Sequence, residues 1–103
     1  MKASMEIPRE QVAAFCRRWQ IVELALFGSV LRDDFRPDSD VDVLVRFDPQ
    51  AHHTLFDMVR MQDDLQRILG RDVDLVERAA VEQSRNYLRR DTILQSAEVI
   101  HVT

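Results

Sequence analysis

Three aspartates are the residues of this sequence whose type and spacing best suit chemistry, and two of them are close neighbours. Asp40 and Asp42 lie two positions apart in a segment that reads DVDVLV. In an extended strand this spacing puts both carboxylates on one face, with Cα atoms roughly 6.6 Å apart. Carboxylates at that separation can converge on one or two divalent cations, and without a cation they would repel each other. The pattern therefore predicts a metal site.

A third acid, Asp74, lies in the later segment RDVDLVE, whose alternation also predicts a strand. Taken alone, Asp74 could be a charge that protects the edge of a sheet against aggregation. Together with Asp40 and Asp42 it becomes a candidate third metal ligand.

A Gly-Ser pair, Gly28 and Ser29, follows the apolar segment that ends at Phe27. A glycine here would let a phosphate approach the backbone, and the serine hydroxyl and the first N–H groups of a following helix would donate hydrogen bonds to its oxygens. The structural alternative is a tight turn at Gly28 and an N-cap at Ser29. The pair alone does not decide between the two.

Cysteine and histidine give weaker patterns. Cys16 is the only cysteine of the chain, which excludes an internal disulfide, and its place in an amphipathic helix predicts a small core residue. His52 and His53 are adjacent and do not share a helix face, so we expect them at an exposed helix N-terminus rather than on a metal. His101 is predicted to be a surface or hydrogen-bonded residue without a catalytic role.

The elements that must position these residues form an α/β pattern, an α+β arrangement in which a small mixed sheet is flanked by helices. Helices are predicted over residues 8–19, 54–69 and 79–96, the last with a break near 89–91, and a brief helix after Gly28. Strands are predicted over 23–27, 40–46, 71–77 and 98–102. The valines at 41, 43 and 45 are predicted to face the core. The buried stripe of the second helix is predicted to contain Leu55, Met58, Val59, Leu65, Ile68 and Leu69, and the solvated face of the last helix Arg85, Arg89 and Arg90.

Length and charge narrow the class of protein. The 103 residues suit one domain spanning 1–103, and the net charge of −4 argues against a dedicated nucleic-acid binder. Thirteen of the fourteen basic residues are arginine, and Lys2 is the only lysine, so arginine must contact any phosphate. With neither a signal-peptide pattern nor an apolar run that could cross a bilayer, we expect a cytoplasmic protein that does not associate with membranes.

A Gly-Ser pair after a strand, about ten residues, Asp-x-Asp on the next strand and a later single Asp together resemble the nucleotidyltransferase superfamily of DNA polymerase beta type. The segments LFGSVLRDDFRPDSDVDVLV and VDLV look like the minimal nucleotidyltransferases, the MNT domains that are usually paired with HEPN proteins in toxin–antitoxin modules. The closing NYLRRDTILQSAEVIHV is also similar to the end of that family.

The resemblance implies a role for each matching residue. Two magnesium ions would be carried by Asp40, Asp42 and Asp74. The nucleoside triphosphate would be held by Gly28 and Ser29, with Arg32 near its phosphates and Arg36 as a helper. Many members of the family have glycine after that first arginine, where this sequence has Asp33.

By the same resemblance, the protein is expected to transfer a nucleoside monophosphate, AMP from ATP in the first instance, to a hydroxyl of a partner HEPN toxin. The acceptor is expected to be a tyrosine, and the modification would make the protein an antitoxin. A non-catalytic antitoxin or binding module that neutralises its partner by complex formation is the alternative, and a metal-stabilised binding domain is a third possibility. The sequence leaves open the base, the number of monophosphates, the acceptor residue, retained turnover and any homo- or hetero-oligomer.

Overall fold

A computed structural model describes residues 7–28 and 40–102. Within these ranges the helices are α1 (Arg9–Trp19), α2 (Leu55–Leu69), α3 (Arg78–Glu82) and α4 (Tyr87–Ser96). The strands are β1 (Ile21–Phe27), β2 (Val41–Phe47), β3 (Val73–Glu77) and β4 (Glu98–Val102). The brief helix predicted after Gly28 lies outside the described residues.

The four strands form one sheet in the order β3-β2-β1-β4. Strand β1 pairs antiparallel with β2 and β4, whereas β2 and β3 are parallel. The sheet is therefore mixed, with helices packed against it, and the predicted α+β arrangement is confirmed.

Alternation along the strands divides the core into two layers. Val41, Val43 and Val45 are fully buried on the face that α1 and α2 cover, as predicted, and they pack there with Met61 and Leu65. The opposite face carries a smaller apolar cluster beneath α3 and α4, formed by Ala25, Phe27, Leu44, Val81 and Ile93. Because a strand alternates its side chains, β2 can bury valines on one face and present acids on the other.

Helix α1 buries one apolar stripe and leaves its basic residues outside. Phe15 and Cys16 are in the core, and burial raises the pKa of the Cys16 thiol to about 12, so the prediction of a core cysteine is confirmed. Trp19 is half-buried, and its indole N–H donates a hydrogen bond to Asp64 at 3.2 Å. Exposed Arg18 pairs with the same carboxylate at 3.4 Å.

Helix α2 begins and ends where the sequence predicts. Thr54 and Asp57 form a reciprocal capping box, and the Thr54 backbone hydrogen bond lowers the pKa of Asp57. Gly70 ends the helix in the left-handed region, with φ 69°.

The predicted buried stripe of α2 is wrong at two positions. Leu55 is 85% exposed and Val59 is 61% exposed, whereas the inward face is centred on Met61 and Leu65. At about 100° per residue, Val59 lies on the side opposite Met61 and Leu55 lies about 120° away from it. Hydrophobicity alone therefore places Leu55 and Val59 in the buried stripe, whereas their angle around the helix axis excludes them.

His53 also differs from its prediction, while His52 is exposed as predicted. The His53 side chain is only 12% exposed, and its ring packs against Phe47 at 4.8 Å between centroids. Its Nε2 donates a hydrogen bond to the carbonyl oxygen of Trp19 at 2.8 Å, because a carbonyl can only accept. The side chain thus ties the start of α2 to the end of α1.

The last predicted helix is two helices, and the break lies at residues 83–86 rather than near 89–91. The Asn86 side chain accepts a hydrogen bond from the backbone N–H of Arg89 at 3.1 Å and so begins α4. Arg85 and Arg89 are exposed as predicted, whereas Arg90 is half-buried over the ring of Tyr87 at 4.8 Å. None of the helices in residues 7–28 and 40–102 combines the length and apolar character that crossing a membrane requires.

Candidate functional site

The strand register brings two of the three aspartates side by side. Asp42 pairs with Asp74 across the parallel β2–β3 ladder, and Asp42 also pairs with Phe27 across the antiparallel β1–β2 ladder. Paired positions lie about 4.8 Å apart and share a face of the sheet. Two acids that are 32 positions apart in sequence are therefore neighbours at the same end of the sheet.

Asp40 precedes the first residue of β2 and lies two positions before Asp42. Asp40 and Asp74 are exposed, while Asp42 is half-buried. Asp42, at the centre of the sheet, is thus the most enclosed of the three acids.

Gly28, directly after β1, leaves room for the Asp42 carboxylate. Its φ of +74° lies in the left-handed region, and a Cβ at this position would collide with Asp42 Oδ2 and lie 3.2 Å from its Cγ. A side chain on residue 28 would have to displace the acid or the backbone. The sequence suggested a turn or a phosphate contact at Gly28, and the structure adds this contact with Asp42.

Two hydrogen bonds hold this end of the sheet in place. The backbone N–H of Val41 donates to the Asp72 carbonyl oxygen at 2.9 Å, which joins the starts of β2 and β3. The backbone N–H of Val73 donates to Oε1 of Gln66, on α2, at 3.1 Å. Sequence reasoning missed Gln66, because it is a half-buried residue at the margin of the inward face of α2 and its partner on β3 comes from a different element.

The donor set suits a hard divalent cation, because carboxylate oxygens are the ligands that Mg²⁺ and Ca²⁺ prefer. In residues 7–28 and 40–102, however, no three His, Cys, Asp or Glu side chains are gathered closely enough to form a ready metal-binding group. The backbone places Asp42 and Asp74 as neighbours, with Asp40 two residues along the same strand. The remaining candidates, Ser29, Arg32 and Arg36, lie outside the described residues.

Beyond the acids, the same face of the sheet becomes apolar. Leu44 and Val76 follow Asp42 and Asp74 by two positions and belong to the cluster beneath α3 and α4. A cavity of about 170 Å³ opens there between β3, α3 and α4. Another cavity, of about 540 Å³, lies at the other end of β2 and β3, beside Phe47, His53 and Glu77, and contains none of the candidate site residues.

Comparison with protein families identifies the class to which the chain belongs. The profile of the nucleotidyltransferase domain matches residues 8–100. A candidate protein adenylyltransferase of Methanocaldococcus jannaschii is 33% identical over 73 residues, which are 71% of this chain and 72% of that protein. The protein adenylyltransferase MntA of Thermococcus cleftensis is 34% identical over 65 residues, which are 63% of this chain and 64% of that protein.

Solved structures agree on the fold. A candidate minimal nucleotidyltransferase is 37% identical, with a TM-score of 0.66, and the match covers 86% of this chain and 85% of that one. A toxin–antitoxin structure with AMP-PNP has a TM-score of 0.70 at 18% identity, covering 94% and 75% of the two chains. A complex of tri-AMPylated Shewanella oneidensis HEPN toxin with MNT antitoxin has a TM-score of 0.60 at 18% identity, covering 92% and 70%.

Proposed function

Since the chain belongs to the nucleotidyltransferase domain family, we propose that it transfers AMP from ATP to a hydroxyl group of a protein partner. The observation that carries this proposal is the row formed by Gly28, Asp42 and Asp74 across three neighbouring strands. Gly28, which has no side chain, lies beside Asp42, and Asp42 lies beside Asp74. Phosphate, metal and acceptor could be arranged along such a row.

Asp40, Asp42 and Asp74 would hold the metal, as two magnesium ions. The three side chains offer only carboxylate oxygens, which suits Mg²⁺. When bound, paired cations neutralise charge on the phosphates and on the oxygens that attack and leave. Asp42 would be the central ligand, because it is paired with Asp74 and lies two positions from Asp40.

The triphosphate would lie over the end of β1. Gly28 leaves its backbone open to close approach, and the Ser29 hydroxyl would donate to a phosphate oxygen. Arg32 and Arg36 would neutralise phosphate charge, since arginine is the basic residue that this chain supplies near its site.

The transfer needs no covalent enzyme intermediate. The acceptor oxygen attacks the α-phosphorus, a new P–O bond forms, and the bond between that phosphorus and the α,β-bridging oxygen breaks. Pyrophosphate departs with the electron pair of the broken bond. The acceptor proton moves to a carboxylate oxygen of Asp74, which lies on the side of Asp42 away from Gly28.

The acceptor is proposed to be a tyrosine of a HEPN-type toxin, so that transfer makes the protein an antitoxin. The names of its relatives support adenylyl transfer to protein, and a structure of the same fold is an MNT antitoxin bound to an AMPylated HEPN toxin. Residues 1–103 would act as one catalytic domain whose acceptor is brought by the partner. Exposed Asp40 and Asp74 leave the site accessible to such a partner.

A labelling experiment tests the proposal. The protein, Mg²⁺ and a HEPN-type partner encoded beside it are incubated with each α-labelled nucleoside triphosphate in turn. Label from ATP is expected on the partner, with release of pyrophosphate, and γ-labelled ATP is expected to leave no label. If no nucleotide labels the partner although the two proteins form a complex, the enzymatic proposal fails.

Neutralisation by binding alone is the second candidate, and exposed apolar side chains favour it. Leu55, Phe56 and Leu88 are each at least 80% exposed, which is unusual for large apolar residues and suits a protein interface. The measurement that closes the Discussion separates this candidate from transfer.

A further inference from the structure

We propose that the cavity between β3, α3 and α4 receives the aromatic side chain of the acceptor, so that its hydroxyl group reaches Asp74. This inference rests on the proposed transfer reaction and names where the second substrate binds. It is carried by the position of the cavity relative to the three-strand row, by its size and by its lining.

Position is the first argument. An in-line displacement puts the attacking and leaving oxygens on opposite sides of the α-phosphorus. Gly28 lies at the end of β1, Asp42 on the neighbouring β2 and Asp74 on β3, at the edge of the sheet. With the phosphates over β1 and the α-phosphorus over β2, the attacking hydroxyl must come from the side of β3.

The cavity lies on that side and on that face. Val76, which lines it, follows Asp74 by two positions on β3 and therefore points to the same face, roughly 6.6 Å further along the strand. A side chain seated against Val76 needs to span only that distance for its end to reach the Asp74 carboxylate. The para-hydroxyl of an aromatic ring, extended by a hydrogen bond of about 2.7 Å to the carboxylate, covers roughly this distance.

Size and lining favour one aromatic ring. The cavity of about 170 Å³ has the volume of about six water molecules, well below the roughly 300–1,000 Å³ of a pocket for a whole drug-sized ligand. Its walls are apolar, formed by Val76, Val81, Ile93 and the methyl group of Ala80.

The rim supplies polar contacts that suit such a ring. Arg89 and Arg90, from the first turn of α4, and Ser84 line the same cavity. Arg90 already lies over the ring of Tyr87 at 4.8 Å, and Asp91 pairs with it at 3.2 Å, so its guanidinium is held in place. A guanidinium plane stacks on aromatic faces, which makes exposed Arg89 a suitable cover for an incoming ring.

The test blocks the cavity with a larger side chain at an exposed residue of its lining. Ala80 is exposed and lines the cavity, and its neighbour Ala79 is exposed but lines the distant 540 Å³ cavity instead. Ala80→Phe therefore blocks the proposed site, and Ala79→Phe is the matched control. Arg89→Leu, with exposed Arg85→Leu as its control, tests the rim without adding bulk.

Binding is measured on the full chain with Mg²⁺ and a non-hydrolysable ATP analogue, by methyl chemical shifts during titration with N-acetyltyrosinamide. We expect saturable shifts at Val76, Val81 and Ile93 in the parent and in both controls. The affinity for N-acetyltyrosinamide is expected to fall at least tenfold in Ala80→Phe and at least threefold in Arg89→Leu. Absence of shifts at these methyl groups in the parent, or parent-like affinity in Ala80→Phe, overturns the proposal.

Transfer to the HEPN-type partner, measured with the same variants, keeps the two proposals distinguishable. If the parent transfers nothing but still binds N-acetyltyrosinamide at this cavity, the transfer reaction fails and the aromatic site stands. If the parent transfers AMP and Ala80→Phe keeps the parent KM for the partner, the cavity proposal fails and the reaction stands. If Ala80→Phe instead weakens binding of the ATP analogue tenfold, the cavity holds the nucleotide base and the acceptor assignment is wrong.

Discussion

At Gly28, the absence of a side chain decides whether Asp42 can keep its position. The residue combines a left-handed backbone with close contact to the Asp42 carboxylate, so it meets two constraints that a larger residue would break together. Gly70 has nearly the same φ, +69°, but nothing lies within 4 Å of a Cβ placed there. Comparing substitutions at the two glycines therefore distinguishes the cost of backbone strain from the effect of displacing Asp42.

We predict that Gly28→Ala strongly impairs transfer, whereas Gly70→Ala does not. Each substitution should lower the free energy of unfolding by about 1–2 kcal/mol, because alanine disfavours the left-handed region. Only Gly28→Ala should also displace Asp42 and lower kcat/KM by about 10- to 100-fold, the scale on which metal sites respond when a group that positions a ligand is disturbed. Denaturant titration and AMP transfer measure the two effects, and equal activity in both variants would contradict this role of Gly28.

Cys16 gives a prediction about pH. Burial raises its pKa from 9.0 to about 12 in the folded protein. Because the folded state holds the thiol proton more tightly, this contribution to stability is complete below pH 9 and is lost as the pH rises toward 12.

The free energy of unfolding should therefore fall more steeply above pH 9 in the parent than in Cys16→Ala, by at most about 1.4 kcal/mol per pH unit. Denaturant titrations between pH 8 and about 10.5 measure the two slopes. The substitution also leaves a small cavity, but that cost does not vary with pH and shifts the whole curve. Equal slopes in the parent and in Cys16→Ala would contradict the raised pKa of Cys16.

At the scale of elements, the parallel pairing of β2 with β3 brings Asp42 and Asp74 together, and alternation in the sequence predicts only part of this arrangement. The pattern DVDVLV predicts which residues face each side of its strand, and the structure confirms this for Val41, Val43 and Val45. Strand order and register depend on contacts between distant segments, so the pairing of Asp42 with Asp74 could not be read from either segment alone.

Other elements show why hydrophobicity and spacing leave errors. Leu55 and Val59 are apolar residues of an amphipathic helix that the inward face excludes, because the helix angle decides which side chains are buried. His53 is enclosed by Trp19 and Phe47, which come from elsewhere in the chain. The break between α3 and α4 follows from the cap at Asn86, a local signal that was present in the sequence.

Helix α3 is attached to the sheet by the packing of Val81 and by a short ion pair between Arg78 and Glu23 of β1. The Arg78 Nη1 donates to Glu23 Oε1 at 2.7 Å, and the Glu23 side chain is only 17% exposed. Because α3 also lines the proposed acceptor cavity, this contact links packing to function.

We predict that Arg78→Met lowers the free energy of unfolding by about 2 kcal/mol, the cost of losing a hydrogen bond to a poorly solvated charge. Amide exchange of α3 should accelerate more than that of α1. The control Arg18→Met removes the ion pair at 3.4 Å between Arg18, whose side chain is 70% exposed, and Asp64. This change should lower the free energy of unfolding by less than about 1 kcal/mol. Equal losses in the two variants would show that α3 does not depend on this contact.

At the scale of the whole molecule, the sheet separates a face that is covered by the larger core from a face that carries the candidate site residues. Helices α1 and α2 cover the face with the larger core cluster, and the short helices α3 and α4 cover only part of the other. Asp42 and Asp74 lie on the second face, two positions before Leu44 and Val76 on their strands. In the proposed function, the first face serves stability and the second serves the nucleotide and the partner.

Mass spectrometry of the partner protein tests the central claim most directly, because it detects AMP on the acceptor without assuming which residue carries it. The HEPN-type partner is incubated with ATP, Mg²⁺ and either the parent or Asp42→Asn, a variant that keeps the shape of the side chain and removes its charge. The parent should add one or more AMP groups and Asp42→Asn none, while both form the complex. A partner that stays unmodified with the parent, or is neutralised equally well by Asp42→Asn without modification, would show that this protein acts by binding instead.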